Sequence, residues 1–152
     1  LKETDNLKIL VNGHSLGGAA ANLIGARIDY EIDHGTFFNK NISKDDVYVY
    51  TFGAIKVLDR EDNVGEGYEN IHNIYNLFDS FGPWGSKAFL NVSSPYAKFG
   101  HTELFSIKHL DIGVTNTDSH NMTTYIDALE REKVTGIFIR FLCPRSGGGG
   151  GW

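Results

Sequence analysis

Lys8-Ile9-Leu10-Val11-Asn12-Gly13-His14-Ser15-Leu16-Gly17-Gly18-Ala19 is the stretch that decides how this chain folds. Its first five residues, Lys8 to Asn12, are a short apolar run stopped by glycine, the pattern of a buried strand. From Leu16 to Tyr30, residues Leu16, Ala19, Ala20, Leu23 and Ile24 recur at helical spacing, and Ala26 and Ile28 extend the apolar content. Gly17, Gly18, Ala19, Ala20 and Ala21 are small enough for such a helix to lie close against a sheet. Between strand and helix stands Gly13-His14-Ser15-Leu16-Gly17, a G-x-S-x-G pentapeptide. In a sharp strand-to-helix turn the central Ser is held in strained backbone geometry with its hydroxyl exposed. Flanking glycines remove Cβ atoms that would collide there. Three fixed positions match by chance in roughly one chain in twenty of this length, so the strand before and the helix after carry the reading. The competing reading is a Gly-rich strand–helix turn that binds a phosphate or nothing; no Lys-Ser or Lys-Thr follows the glycines, which disfavours a nucleotide loop.

Working outward, Val47-Tyr48-Val49-Tyr50-Thr51-Phe52, closed by Gly53, is a second strand, and Ile71 to Leu77 a third. Phe78 to Gly100 carries Gly82, Pro83, Gly85 and Pro95 and reads as a long loop, a kind of segment that usually serves function. Thr102 to Ile107 is a fourth strand, and Thr135 to Leu142 a weaker last one. Ser119 to Glu130 reads as a helix with an apolar stripe at Met122, Tyr125, Ile126 and Leu129, capped by Asp118 or Ser119. Strands separated by helices and long crossovers predict an α/β layered fold with a largely parallel sheet.

The 152 residues suit one domain, expected over 1–142. The end, Ser146, five glycines and Trp152, reads as part of a flexible tail over 143–152 or a cloning remnant. A net charge of −5 opposes nucleic acid or an anionic membrane as main partner, because the long-range field has the wrong sign. One cysteine, Cys143, allows neither an internal disulfide nor a cysteine-based zinc site. No signal peptide is visible, and the compartment stays open.

A nucleophilic Ser needs a base and a group that orients the base. In strand-turn-helix hydrolases the chain order is Ser, then Asp or Glu, then His. His101, His109 and His120 lie far enough downstream, and His120 is favoured because it stands at a loop-to-helix boundary. Among Asp59, Asp79 and Asp111, Asp79 is favoured because it directly follows a strand, where α/β sites gather. Asp59 lies in a charged stretch with Arg60, Glu61 and Asp62, the mark of a solvated face. Leu16 N–H, at the helix start, can donate to a developing oxyanion.

Gly13-His14-Ser15-Leu16-Gly17-Gly18-Ala19, Tyr50-Thr51-Phe52-Gly53, Asn76-Leu77-Phe78-Asp79 and Gly100-His101-Thr102-Glu103-Leu104 together resemble the fungal-type class 3 lipases. The resemblance implies an α/β-hydrolase-like fold, with Ser15 as nucleophile, Asp79 as acid and His120 as base. It implies no metal or organic cofactor. After Thr51-Phe52-Gly53 the family usually has Ser or Ala, then Pro and Arg; here Ala54-Ile55-Lys56 follows. In the family several strands, a lid and a second oxyanion donor precede the nucleophile. The resemblance therefore marks this chain as the C-terminal half of a hydrolase that lacks the N-terminal strands and requires an upstream segment of the same protein.

The expected activity is hydrolysis of a lipid-like acyl ester. Phe78, Phe81, Trp84 and Phe89 could line an acyl channel or make transient contact with a lipid interface, or simply pack their loop onto the core. Two rivals stand beside it: an inactive hydrolase-like module that binds lipid or protein, and a peptidase or thioesterase on the same scaffold. If an upstream segment completes the sheet, Leu1 to Leu142 made alone is expected to be poorly soluble or oligomeric. It should also be weakly active on p-nitrophenyl butyrate, and co-expression with the upstream segment should restore both properties. Size-exclusion chromatography and that ester assay check this; a monodisperse, fully active fragment would contradict it.

Overall fold

The computed structural model describes residues 7–55, 58–59, 67–76, 79, 96–105 and 118–135. In chain order these form β1 (Ile9–His14), α1 (Leu16–Asp33), a 3-10 turn (Lys44–Asp46), β2 (Val47–Phe52), β3 (Leu58–Asp59) and β4 (Ile71–Asn76). Then come β5 (Tyr96–Ala97), β6 (His101–Phe105), a second 3-10 turn (Asp118–His120) and α2 (Met122–Thr135). Strands β1, β2, β4 and β6 lie side by side in that order, all parallel. Strands β3 and β5 form a separate antiparallel pair. The expected α/β architecture with a parallel sheet flanked by helices is present.

Several boundaries differ from the sequence reading. Strand β1 runs on through Gly13 to His14, because its ladder with β2 extends to the pair His14 and Phe52. Thr135 ends α2 instead of opening a strand. Residues 136–142 of that expected strand, the 143–152 tail and the aromatics Phe78, Phe81, Trp84 and Phe89 lie outside the described residues. Within the expected loop from Phe78 to Gly100, Tyr96–Ala97 pairs with Leu58–Asp59, which places Asp59 in a strand. The cap of α2 is Asn121, not Asp118 or Ser119: its Oδ1 accepts the N–H of Thr123 at 3.3 Å. Asp118 and Ser119 belong to the 3-10 turn before it.

The face that α1 turns to the sheet is the main correction. Leu16, Leu23 and Ile24 are 70, 40 and 52 % exposed, while Gly18, Ala19, Ala21, Asn22, Gly25, Ala26 and Asp29 are buried. A close approach selects small side chains over large ones. A Cβ on Gly25 would sit 2.6 Å from Val49 Cγ2, and one on Gly18 2.8 Å from Ala54 Cβ. Val47, Val49 and Ile71 fill the core beneath the helix with Ala26, Phe37 and Ile42. Strand β1 is half-buried, not fully buried: Ile9 and Val11 pack against this core, while Leu10 is 65 % exposed on the opposite face, beside Tyr48.

The helix also brings polar groups inside, and they are matched. Asn22 Nδ2 donates to Asn73 Oδ1 (3.0 Å) and to the Phe99 carbonyl (2.9 Å), and Phe99 N–H donates back to Asn22 Oδ1 (3.1 Å). Thr51 Oγ donates to Asn73 Oδ1, and Asn73 Nδ2 donates to the Phe99 and His101 carbonyls. This network ties helix, sheet and the entry to β6 into one unit, because each buried amide left unmatched would cost about 1–3 kcal/mol.

Asp29 is the exception. It accepts Asn70 Nδ2 at 3.0 Å on one oxygen, but its Oδ2 and the neighbouring Asn70 Oδ1 are buried without a hydrogen-bond partner. Burial pushes the carboxyl from its ordinary 3.8 up to about 6; Asp33 and Glu69 add to the rise, while Asn70 and Lys44 oppose it. The folded state therefore holds this proton more tightly than the unfolded chain. The contribution is fully present below pH 3.8 and is lost as pH rises through 6, on the order of 3 kcal/mol at most. Asp29→Asn should remove that dependence. Urea unfolding between pH 4 and 8 is expected to give a flatter stability profile for the variant and greater stability than wild type at pH 8.

Candidate active site

The parallel sheet sends the ends of β1, β2 and β4 to one rim. At that rim Ser15 is the single residue between β1 and α1. Its φ of 56° and ψ of −121° make it the one non-glycine with positive φ among the described residues. Such a conformation costs on the order of 1–3 kcal/mol and persists only where the surroundings impose it. They do so here from both sides. Ser15 N–H donates to the Phe52 carbonyl at 2.9 Å, continuing the ladder, and its carbonyl accepts Ala19 N–H at 3.1 Å, starting the helix.

Gly13 makes the turn sterically feasible: a Cβ there would lie 2.2 Å from the Gly17 carbonyl oxygen. Gly17 itself differs from the sequence expectation, since a Cβ on it would meet nothing within 4 Å. The second glycine that the packing needs is Gly18, against Gly13 and Ala54.

Ser15 stands at the N-cap position of α1, where a serine oxygen ordinarily accepts a first-turn N–H. It makes no such side-chain bond. Its Oγ lies instead 2.8 Å from His120 Nε2. On the far side of the ring, His120 Nδ1 is 2.9 and 2.8 Å from the two carboxylate oxygens of Asp79. A carboxylate only accepts, so Nδ1 carries the proton and Nε2 is left to accept from Ser15. Leu16, favoured from sequence as an oxyanion donor, is the first residue of α1, where an N–H has no acceptor within the helix.

Asp79 is buried, in a turn closed by its N–H to the Asn76 carbonyl at 3.0 Å, just beyond β4. Tyr125, from α2, donates its hydroxyl to Asp79 Oδ2. Burial, and then Asp79, hold that phenol well above its ordinary pKa, so it remains a neutral donor. Asn76 Nδ2 reaches the Ser119 carbonyl at 3.4 Å and joins the end of β4 to the turn that carries His120.

Gly53, after β2, completes the enclosure. Its φ is +54°, and a Cβ on it would lie 2.7 Å from both Asp79 Oδ2 and the Tyr125 hydroxyl and 3.1 Å from His120 Nδ1. The absent side chain is the space in which carboxylate, phenol and imidazole meet.

Ser15 with Leu16, Asp79 and His120 thus come together from three places in the chain. His101 does not join them: it opens β6 beside His72, at the strand end opposite the rim. His109 and Asp111 lie outside the described residues. In the sequence Tyr125 is one residue of an apolar stripe, and the roles of His14 and of the space at Gly53 emerge only in the folded chain. The tight Thr51-Phe52-Gly53 ending was the one available signal.

These contacts separate the glycines. Gly13→Ala and Gly53→Ala are each expected to cost about 2–4 kcal/mol, from overpacking and, at Gly53, from the positive φ. Gly17→Ala should be neutral or stabilising by up to about 1 kcal/mol, since alanine favours a helix and nothing obstructs its methyl. Urea unfolding of the three variants reads this order directly.

A family model described as Lipase (class 3) matches residues 1–80. Among solved structures, the chain is similar to a lipase from Rhizopus microsporus var. chinensis, at 25 % identity and a TM-score of 0.46, over 64 % of this chain and 31 % of that one. The chain therefore spans less than a third of that lipase's length. No curated protein matches it. The family match takes in more than half of the 152 residues, from β1 and the Ser15 turn through β4 to Asp79, and by it the chain belongs to the class 3 lipase family.

Proposed function

We propose that this chain carries the reaction centre of a serine hydrolase that cleaves carboxylic esters of lipid-like substrates. The observation that supports it most directly is the continuous line from Ser15 Oγ through His120 to the buried Asp79. Ser15 Oγ attacks the ester carbonyl carbon while His120 Nε2 takes the hydroxyl proton. Asp79 keeps the other ring proton on Nδ1 and stabilises the imidazolium as it forms. The carbonyl oxygen becomes an oxyanion, and Leu16 N–H donates to it from the helix start. On collapse of the tetrahedral intermediate the ester C–O bond breaks, and Nε2 returns its proton to the leaving alcohol. Water, deprotonated by the same nitrogen, then attacks the acyl-enzyme, releases the acid and regenerates Ser15.

Membership in the lipase family supports ester hydrolysis as the reaction class. The diversion of the Ser15 oxygen from helix capping to an imidazole supports the assignment of the nucleophile.

A fluorophosphonate probe should label the full-length protein at Ser15, and Ser15→Ala should abolish labelling. Asp79→Asn should retain the fold and lower turnover by about 10⁴-fold, because the wrong tautomer is then held. Asp111→Asn should do far less. Absence of labelling in the wild type would favour a binding module, and a reversed order of the two aspartates would move the acid.

A further inference from the structure

His14 has no place in the proton path, yet it is the last residue of β1 and the immediate neighbour of Ser15. Its Nε2 lies 2.7 Å from the main-chain carbonyl oxygen of His120. A carbonyl only accepts, so His14 carries a proton on Nε2 and donates it. Its ring lies 4.8 Å from the His120 ring and meets Tyr125 edge-on at 5.9 Å.

The contact matters because of where His120 stands. It ends a three-residue 3-10 turn, whose hydrogen bonds hold the backbone less well than those of an α-helix. Asp79 restrains the ring only at Nδ1. Ser15 meets the same ring at Nε2, so both of these contacts act on the side chain. The bond from His14 acts on the backbone, at the opposite end of the residue from Asp79. It also starts one residue from the nucleophile, on a strand locked into the sheet.

We propose that His14 is a positioning residue: its Nε2–H anchors the carbonyl of His120 to the strand that carries Ser15 and so sets the Ser15 Oγ to His120 Nε2 distance. This rests on the ester-hydrolase reading, with Ser15 as nucleophile and His120 as base. The role needs a donor at the Nε2 position, not merely an aromatic ring. Phenylalanine keeps the ring contacts and loses the donor; glutamine places an amide N–H near the same point.

The test compares wild type, His14→Phe and His14→Gln in the full-length protein. The readouts are kcat and KM on p-nitrophenyl butyrate and the rate of fluorophosphonate labelling. A base displaced by a fraction of an ångström to an ångström should cost roughly ten- to hundredfold. His14→Phe should therefore lower kcat and the labelling rate by that factor with KM within about twofold, and His14→Gln should regain most of the loss. Wild-type kcat in His14→Phe, equal losses in both variants, or a loss confined to KM would each overturn the proposal. Should His14→Phe fail to fold, His14→Asn, whose amide stops short of the carbonyl, takes its place with the same expectations. The NMR signal of the His120 Cε1–H gives a second readout that does not depend on turnover. It should be narrow in wild type and His14→Gln, and broadened or split in His14→Phe. If wild type neither labels nor hydrolyses the ester, the hydrolase reading fails, and this signal alone decides the tether: a change specific to His14→Phe upholds it, and identical signals in all three proteins overturn it.

Discussion

The strained backbone of Ser15 is the constraint on which the rest of the site depends. A serine at φ 56° is unfavourable in isolation. It is held because β1 must pair with β2 up to His14, and α1 must start at Leu16 and fold back over the same strands. With one residue available for that reversal, the chain has little alternative. The missing side chains at Gly13 and Gly18 let the two backbones come together, and the hydroxyl of Ser15 is left at the rim against His120.

That close approach governs the core as well. A helix lying this near the sheet buries glycine, alanine and asparagine rather than leucine and isoleucine. Burial of small residues contributes less hydrophobic stabilisation than burial of large ones. The reciprocal bonds among Asn22, Thr51, Asn73 and the Phe99 carbonyl offset part of that deficit through specificity: they fix the helix at one height on the sheet and fix the entry to β6. The height of the helix in turn sets the position of its first turn, and so of Ser15 and Leu16.

His120 is located by contacts from separate elements: Ser15 on one nitrogen, Asp79 on the other and His14 on its carbonyl. Asp79 is held in turn by Tyr125 from α2, and Gly53 from the end of β2 leaves the space in which they meet. None of these hydrogen bonds is local in sequence. The spans between partners exceed forty residues, and each partner sits at a strand end or helix start that the parallel sheet brings to the same rim.

The meeting of Ser15, Asp79 and His120 was legible in the sequence because their positions follow from chain order and local punctuation. A strand-glycine-serine-helix transition announces the turn, an aspartate just past a strand stands at the rim of a parallel sheet, and a histidine before a helix can reach back to it. The α/β alternation was legible for the same reason, since strand and helix periods are local properties. The buried face of α1 was not: hydrophobic periodicity ranks Leu16, Leu23 and Ile24 as inward, and only the distance between helix and sheet shows that the small face fits there. The freedom of Gly17, the space at Gly53, the bond from Tyr125 to Asp79 and the bond from His14 to the His120 carbonyl belong to the same class. Local sequence determines which elements form and where they turn. Which side chain meets which is decided by how closely the elements pack, a quantity set by all of them together.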